Sequence, residues 1–281
     1  MLPEDPASTA QRGEVVGATN WADPSYLKEV QYATPANLVA RQAIYAYQNP
    51  RTSLYDWALD LAELDGDETT LDIGCGNGSY LEALHRRGHR GLIVGMDFSP
   101  GMLASARQAR GPEAAQPVVL GDAAALAFED GCADVLLVMH MLYHLPDPRR
   151  ALAELRRVVR AGGRVLILLN GSAHQQQLRR LLRETVLDFG EPFAGTESVD
   201  LDAGEELAAT FFNVERHELR AELLVPEPGP VLAYVESMNF LQAGHANGEA
   251  MLRSIKARVS ERIDTEGAFR ITTCCGCLVC R

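Results

Sequence analysis

Three carboxylates and a run of glycines carry the chemistry legible in this sequence. In TTLDIGCGNGSYLEAL, Gly74, Gly76 and Gly78 follow a short apolar run and precede an amphipathic stretch. Glycine there permits positive φ and lets a ligand approach the backbone at the carboxyl end of a strand. Such a turn also serves dinucleotides, but the third glycine of that fingerprint would fall on Ser79. Asp72 discriminates further, because a carboxylate two residues before the first glycine opposes a pyrophosphate and attracts an ammonium group. Asp97 ends the next apolar run, where its oxygens can accept both hydroxyl hydrogens of a ribose. Asp122, in VVLGDAAAL, can accept from an adenine amino group beside the Ala123 N–H, and Phe98 and Met102 can cover the adenine faces. The ligand that these groups fit is a nucleoside carrying an amino acid.

Positioning three acids along one rim requires a parallel sheet. From Thr69 onward short apolar runs alternate with amphipathic stretches, the pattern of strands joined by crossover helices. Strands are expected at 70–73, 92–97, 117–120, 133–140 and 164–170; runs such as VLLVM and VLILL lack polar alternation, as in strands covered on both faces. Ser99 and Pro100 open one helix. Asp147 and Pro148 open another, with Leu152, Leu155 and Val159 as its inner face and Gly162 as its stop. Further on, the pattern predicts a helix over 175–189, an acidic turn-rich link over 190–205 and a sixth strand at 214–225. Helices at 231–241 and 249–263 and a last strand at 268–280 complete it.

The stretch from about Leu71 to Asn170 resembles a class I S-adenosylmethionine-dependent methyltransferase, of the broad bacterial small-molecule group whose loop reads LDIGCGNG. The segment GDAAALAFEDGCADVLLVMHMLYHLPDPRRALAELRRVVRAGG continues the likeness. The resemblance implies S-adenosyl-L-methionine as cofactor. Asp72, Gly74, Cys75 and Gly76 would hold its methionine part, Asp97 its ribose and Asp122 with Ala123 its adenine, and the backbone near Met139 and His140 would close the site. It also implies an α/β, Rossmann-like, seven-stranded, mostly parallel sheet with helices on both faces and the last strand antiparallel, carrying a mainly helical cap. The expected organisation is a helical lid over 1–65, a cofactor-binding core over 66–171, and the rest of the sheet over 172–281 with cap segments near 172–205 and 228–264.

Methyl transfer needs a positioned nucleophile and, for some acceptors, a base. His140 and His144, in VMHMLYHLPD, are the catalytic candidates, since imidazole titrates near neutrality; His140 could instead serve packing and backbone contacts, His144 could cap the next turn, and Tyr143 is a weaker alternative. The aromatic segment YLKEVQYATPANLVARQAIYAY resembles lid segments of small-molecule methyltransferases, with Tyr26, Tyr32 and Arg41 as lid contacts to the cofactor, or as an amphipathic packing face. Four of the six cysteines crowd ITTCCGCLVCR. Strand alternation sends Cys275 and Cys277 one way and Cys274 and Cys280 the other, so a metal site is not expected.

A net charge of −12 over 281 residues repels a phosphate backbone, and no nucleic-acid partner is expected. Without an apolar run long enough to span a bilayer or a secretory pattern at MLPEDPASTA, a cytoplasmic protein off the membrane is expected. The predicted function is methylation of a small-molecule acceptor, at oxygen, nitrogen or carbon, in specialised (natural product) metabolism. A cyclase or rearrangement enzyme on the same fold and a protein or RNA methyltransferase are the alternatives. N-terminal aromatic helices could pair between chains, leaving a homodimer open.

Overall fold

The computed structural model describes residues 23–109, 117–189, 199–239 and 246–281. Trp21, residues 190–198 of the acidic link and the end of the helix expected over 231–241 lie outside the described residues. The chain opens with α1 (Pro24–Tyr26), running into a π-helical turn (Leu27–Gln31), then α2 (Ala36–Ala43), a 3₁₀ turn (Ile44–Tyr47), β1 (Gln48–Asn49) and α3 (Leu54–Asp60). The alternating core follows: β2 (Thr70–Ile73), α4 (Ser79–Arg86), β3 (Ile93–Asp97), α5 (Pro100–Ala109), β4 (Val118–Leu120), β5 (Ala133–Met139), α6 (Pro148–Val158) and β6 (Val159–Asn170). Then come α7 (Gln176–Asp188), α8 (Leu201–Ala208), β7 (Val214–Val225), α9 (Pro228–Ser237), α10 (Gly248–Glu266) and β8 (Phe269–Cys280).

Among the described residues one 8-stranded sheet forms, in the order β1-β7-β8-β6-β5-β2-β3-β4. Pairing is parallel from β4 through β3, β2 and β5 to β6, and β8 runs antiparallel to both β6 and β7. The expected seven strands are all present. The eighth, β1, is two residues long and borders β7 antiparallel. The chain leaves β2 toward β3 on one side and returns to β5 on the other, which opens a crevice at the carboxyl ends of β2 and β5.

Uninterrupted apolar runs make β5 and β6 the centre of this sheet: Leu136, Leu137, Val138, Leu166 and Ile167 are fully buried. Each such side chain contributes roughly 1.5–3 kcal/mol by leaving water. One face packs against α6 and α8 and the other against α3, α4 and α5. Cys275 and Cys277 join the second of these layers and Cys280 the first, as strand alternation requires.

A third core forms the cap. Strand β8 pairs with β6 only from Cys275 to Cys280, so its first half runs past the end of β6 and pairs with β7 alone. On that projecting ribbon sit α7, α9 and α10, through Leu178, Leu182, Val231, Met251, Ile255 and Phe269. The cap therefore includes strand as well as helix.

Two local expectations need correction. The helix begun by Asp147, whose carboxylate accepts from the Arg150 N–H, ends at Val158 rather than at Gly162. Val159 already pairs with Ala133, and Gly162, at φ +75, lies in the irregular part of β6 that follows. The acidic link does not stay turn-like, because Asp200 caps α8 by accepting from the Ala203 N–H. Helix α8 lies on the sheet, where Gly276 gives Leu201 room: a Cβ there would meet its Cδ2 at 2.2 Å.

Candidate functional site

The crevice holds a cavity of about 1230 Å³ that receives residues from the lid, the strand ends and the cap. Its first half is made by the glycine loop. Gly74, Gly76 and Gly78 all have positive φ (79°, 55° and 84°), which a side chain would strain. The Gly74 and Cys75 N–H groups both donate to the Met96 carbonyl, at 2.7 and 2.9 Å. The Gly76 N–H donates to Asp97 Oδ2 (2.8 Å), and Asp97 Oδ1 accepts from the Ser99 N–H (2.8 Å). Asp97 thus fixes the loop and the start of α5 while keeping lone pairs for a ligand.

Asp72 is different. It lies at the end of β2, is 1% exposed, and neither carboxylate oxygen has a hydrogen-bond partner. Burial, with the negative Asp97 nearby, pushes its carboxyl up to about 8. A buried carboxylate without partners is costly; an ammonium group entering the cavity would relieve that cost, and a pyrophosphate would add to it. Cys75, Phe98, Met102, Asp122 and Ala123 line the same half. Asp122 is exposed, with Oδ1 accepting from the Ala124 N–H.

The lid closes over this half through backbone contacts. Ser99 Oγ donates to the Tyr32 carbonyl (2.7 Å), and a Cβ on Gly101 would stand 2.0 Å from the Ala33 carbonyl oxygen. Arg41 lines the cavity and donates to Tyr32 Oη (3.3 Å) and to the Ser237 carbonyl (3.1 Å), tying α2 to α9. Tyr26 does not line the cavity; its hydroxyl turns to Gln31 (3.5 Å) while the adjacent Leu27 faces inward.

Both expected histidines line the cavity. His144 Nε2 lies 2.9 Å from Tyr32 Oη. With Arg41 donating to that oxygen, guanidinium, phenol and imidazole form one chain, in which the hydrogen between Tyr32 and His144 sits on the phenol or on Nε2 according to the imidazole tautomer. His140 adopts φ +55, a conformation uncommon outside glycine, and its N–H donates to the Leu168 carbonyl (3.0 Å). Burial pushes its imidazole down to about 4, so it stays neutral and is a weak base. Tyr143 also lines the cavity and stacks edge-on against His144, with ring centroids 4.5 Å apart.

The second half was not anticipated. Tyr45, Asn170, His174 and Tyr234 line it, drawn from the 3₁₀ turn, the end of β6, the loop after it and α9. They meet where β6 stops beside β8: Gly171 N–H donates to the Cys274 carbonyl and Gln175 N–H to the Thr272 carbonyl. A polar stretch such as GSAHQQQ carries no periodicity from which this placement could be read. Among the described residues no cluster of metal-ligating side chains forms.

Residues 71–167 match the family model described as methyltransferase domain. Over 117 residues the chain is 38% identical to the demethylmenaquinone methyltransferase of Thermobifida fusca (strain YX), covering 41% of this chain and 49% of that protein. It is 30% identical over 178 residues to the malonyl-[acyl-carrier protein] O-methyltransferase of Serratia marcescens, covering 63% and 65%. The chain spans about half the length of several of the curated relatives it matches. Among solved structures, the [4+2]-cyclase SpnF superposes with a TM-score of 0.54 at 19% identity, over 95% of this chain and 98% of that one. The fold is therefore the Rossmann-like fold of these proteins. Within that fold, residues 71–167 carry the likeness to a methyltransferase domain.

Proposed function

We propose that this protein transfers a methyl group from S-adenosyl-L-methionine to a small-molecule acceptor enclosed between core, lid and cap. The observation that carries the reading is Asp72, a buried carboxylate with no partner of its own in the wall of the cavity. Asp72 accepts the ammonium group, Gly74, Cys75 and Gly76 bring backbone against the methionine part, and Asp97 takes the ribose hydroxyls. Asp122 and Ala123 meet the adenine edge, with Phe98 and Met102 at its faces. When bound, the cofactor supplies a methyl on a positively charged sulfur, open to in-line displacement.

A cavity of about 1230 Å³ exceeds the roughly 300–1,000 Å³ usual for one ligand, which supports a second, small occupant. Lid and cap residues wall it, so that bound cofactor and acceptor together would displace its water. Where the acceptor must lose a proton, the tautomer of His144 with a bare Nε2 lets Tyr32 take it on oxygen as its own hydrogen passes to that nitrogen, with Arg41 holding the phenol oxygen. A net charge of −12 disfavours RNA as the acceptor. No described helix is long and apolar enough to cross a membrane.

The same fold carries a cyclase, so the deciding experiment reads the methyl itself. Methyl-tritiated cofactor is incubated with the protein and a fractionated bacterial metabolite extract. Label appearing in organic-soluble products, and lost with Asp72→Asn, is the expected result. Label confined to protein or RNA would overturn the small-molecule assignment, and products formed without label would favour the cyclase reading.

A further inference from the structure

The far half of the cavity is a directed chain of hydrogen bonds, and one backbone group sets its direction. The Cys274 N–H donates to His174 Nδ1 at 3.2 Å. That nitrogen therefore carries no proton, and the hydrogen of the neutral ring sits on Nε2. Burial keeps the ring neutral, pushing the imidazole down to about 3, with His140 and Arg179 adding to the effect. The Nε2–H faces Tyr45 Oη at 3.3 Å and donates to it. Gln175 approaches the same phenol. Its Oε1 accepts from the Tyr234 hydroxyl at 2.8 Å, which leaves its amide hydrogens for Tyr45.

The Tyr45 oxygen thus receives hydrogens from its neighbours, and its own hydrogen finds no acceptor on either of them. Burial raises this phenol well above its ordinary range, so it keeps its proton. Asn170 repeats the arrangement: Oδ1 accepts from the Cys275 thiol (3.6 Å), and the amide hydrogens are what it can offer. Tyr45 and Asn170 both line the cavity, and no carboxylate stands among Tyr45, Asn170, His174 and Tyr234.

We propose that this end of the cavity is an oxygen-binding subsite, in which the Tyr45 hydroxyl, with the Asn170 amide beside it, donates to a carbonyl or enolate oxygen of a neutral, largely apolar acceptor. The inference rests on reading the cavity as a cofactor-plus-acceptor site and names the acceptor's chemistry. His174 acts through Tyr45 and is a positioning residue. Its hydrogen bond polarises the phenol and turns the phenol's hydrogen away from the protein.

The test uses the full chain saturated with S-adenosylhomocysteine and three pairs of probes: acetophenone and ethylbenzene, 1-tetralone and tetralin, 2-acetylnaphthalene and 2-ethylnaphthalene. Calorimetry should find at least one ketone bound about tenfold tighter than its hydrocarbon, the size expected of one hydrogen bond in a dry site. Tyr45→Phe should erase that preference and leave the affinity for S-adenosylhomocysteine unchanged. His174→Phe should reduce the preference and His174→Gln, which keeps an N–H donor, should restore part of it. Nitrogen-15 NMR of the unaltered protein should find His174 neutral with its proton on Nε2. No ketone preference in any pair, a preference that survives Tyr45→Phe, or a proton on Nδ1 would each overturn the subsite. Failure of S-adenosylhomocysteine to bind would strike the methyltransferase reading instead, so the two can fail separately.

Discussion

The two halves of the cavity carry opposite chemistry. The half beside β2, β3 and β4 presents carboxylates: Asp72 without a partner, Asp97 fixed between two backbone N–H groups, and Asp122 at the rim. The half under the cap presents neutral groups, Tyr45 and Asn170, in contact with His174 and Cys275. The first holds a carboxyl that burial keeps from ionising and that an ammonium-bearing ligand would let ionise. The second stores almost no electrostatic strain, because every group but the outward-facing hydrogens is already satisfied. A charged nucleoside can be gripped by elements close in the chain, whereas a neutral acceptor needs a dry pocket assembled from distant ones.

The largest effect should come from Asp72. Asp72→Asn should weaken binding of S-adenosylhomocysteine about 100-fold, in line with roughly 2–3 kcal/mol for a charge-assisted hydrogen bond. The same substitution should stabilise the ligand-free protein at neutral pH. The Asp72 carboxyl is raised in the folded state, so the folded chain holds a proton that the unfolded chain has released. Stability of the unaltered protein relative to Asp72→Asn should therefore fall as pH rises from about 4 through about 8, and level off above. Urea denaturation across that range measures it; a flat difference would mean that burial does not hold the Asp72 proton.

Next comes the contact that seats the lid on the first half. A Cβ on Gly101 would sit 2.0 Å from the Ala33 carbonyl, a backbone atom that cannot turn aside. Gly101→Ala should push the lid off the start of α5, break the Ser99 to Tyr32 hydrogen bond and weaken S-adenosylhomocysteine binding about tenfold. Unaltered calorimetric affinity would mean that the lid takes no part in holding the cofactor.

How much of this was legible follows the same division. The core strands, the Ser99 and Asp147 caps and the three acids lie within one stretch of chain and are announced locally, by apolar runs, turn chemistry and glycines. The end of α6 was misread because Gly162 looks like a helix stop, yet tertiary pairing of Val159 with Ala133 had already drawn the chain into β6. Helix α8 had a signal, with Asp200 as cap and Leu201, Gly204 and Ala208 on its buried side, but the acidic composition around it obscured that spacing. His174 had none. Its meaning depends on Cys274, which lies 100 residues away in sequence and reaches it only through the β6 to β8 register.

Smaller effects grade the carboxylates. Asp97→Ala should cost about tenfold or more in cofactor affinity, since its oxygens also hold the Gly76 loop. Asp122 is exposed and competes with water, so Asp122→Ala should cost only about threefold. The reverse order by calorimetry would shift the weight of recognition from ribose to adenine.

The smallest expected effect is a coupling near zero. Asp72 and Tyr45 share no hydrogen-bond partner: the Tyr45 chain runs through His174, Gln175 and Cys274, while the acid half is organised around Asp97 and the glycine loop. Changes at sites without shared partners usually add within about 0.5 kcal/mol. In a cycle of Asp72→Asn, Tyr45→Phe and the double variant, affinity for S-adenosylhomocysteine should therefore follow Asp72 alone. A coupling above about 1 kcal/mol, beyond what independent sites show, would mean that the neutral end reaches the cofactor itself, and the cavity would then have to be treated as one site rather than two.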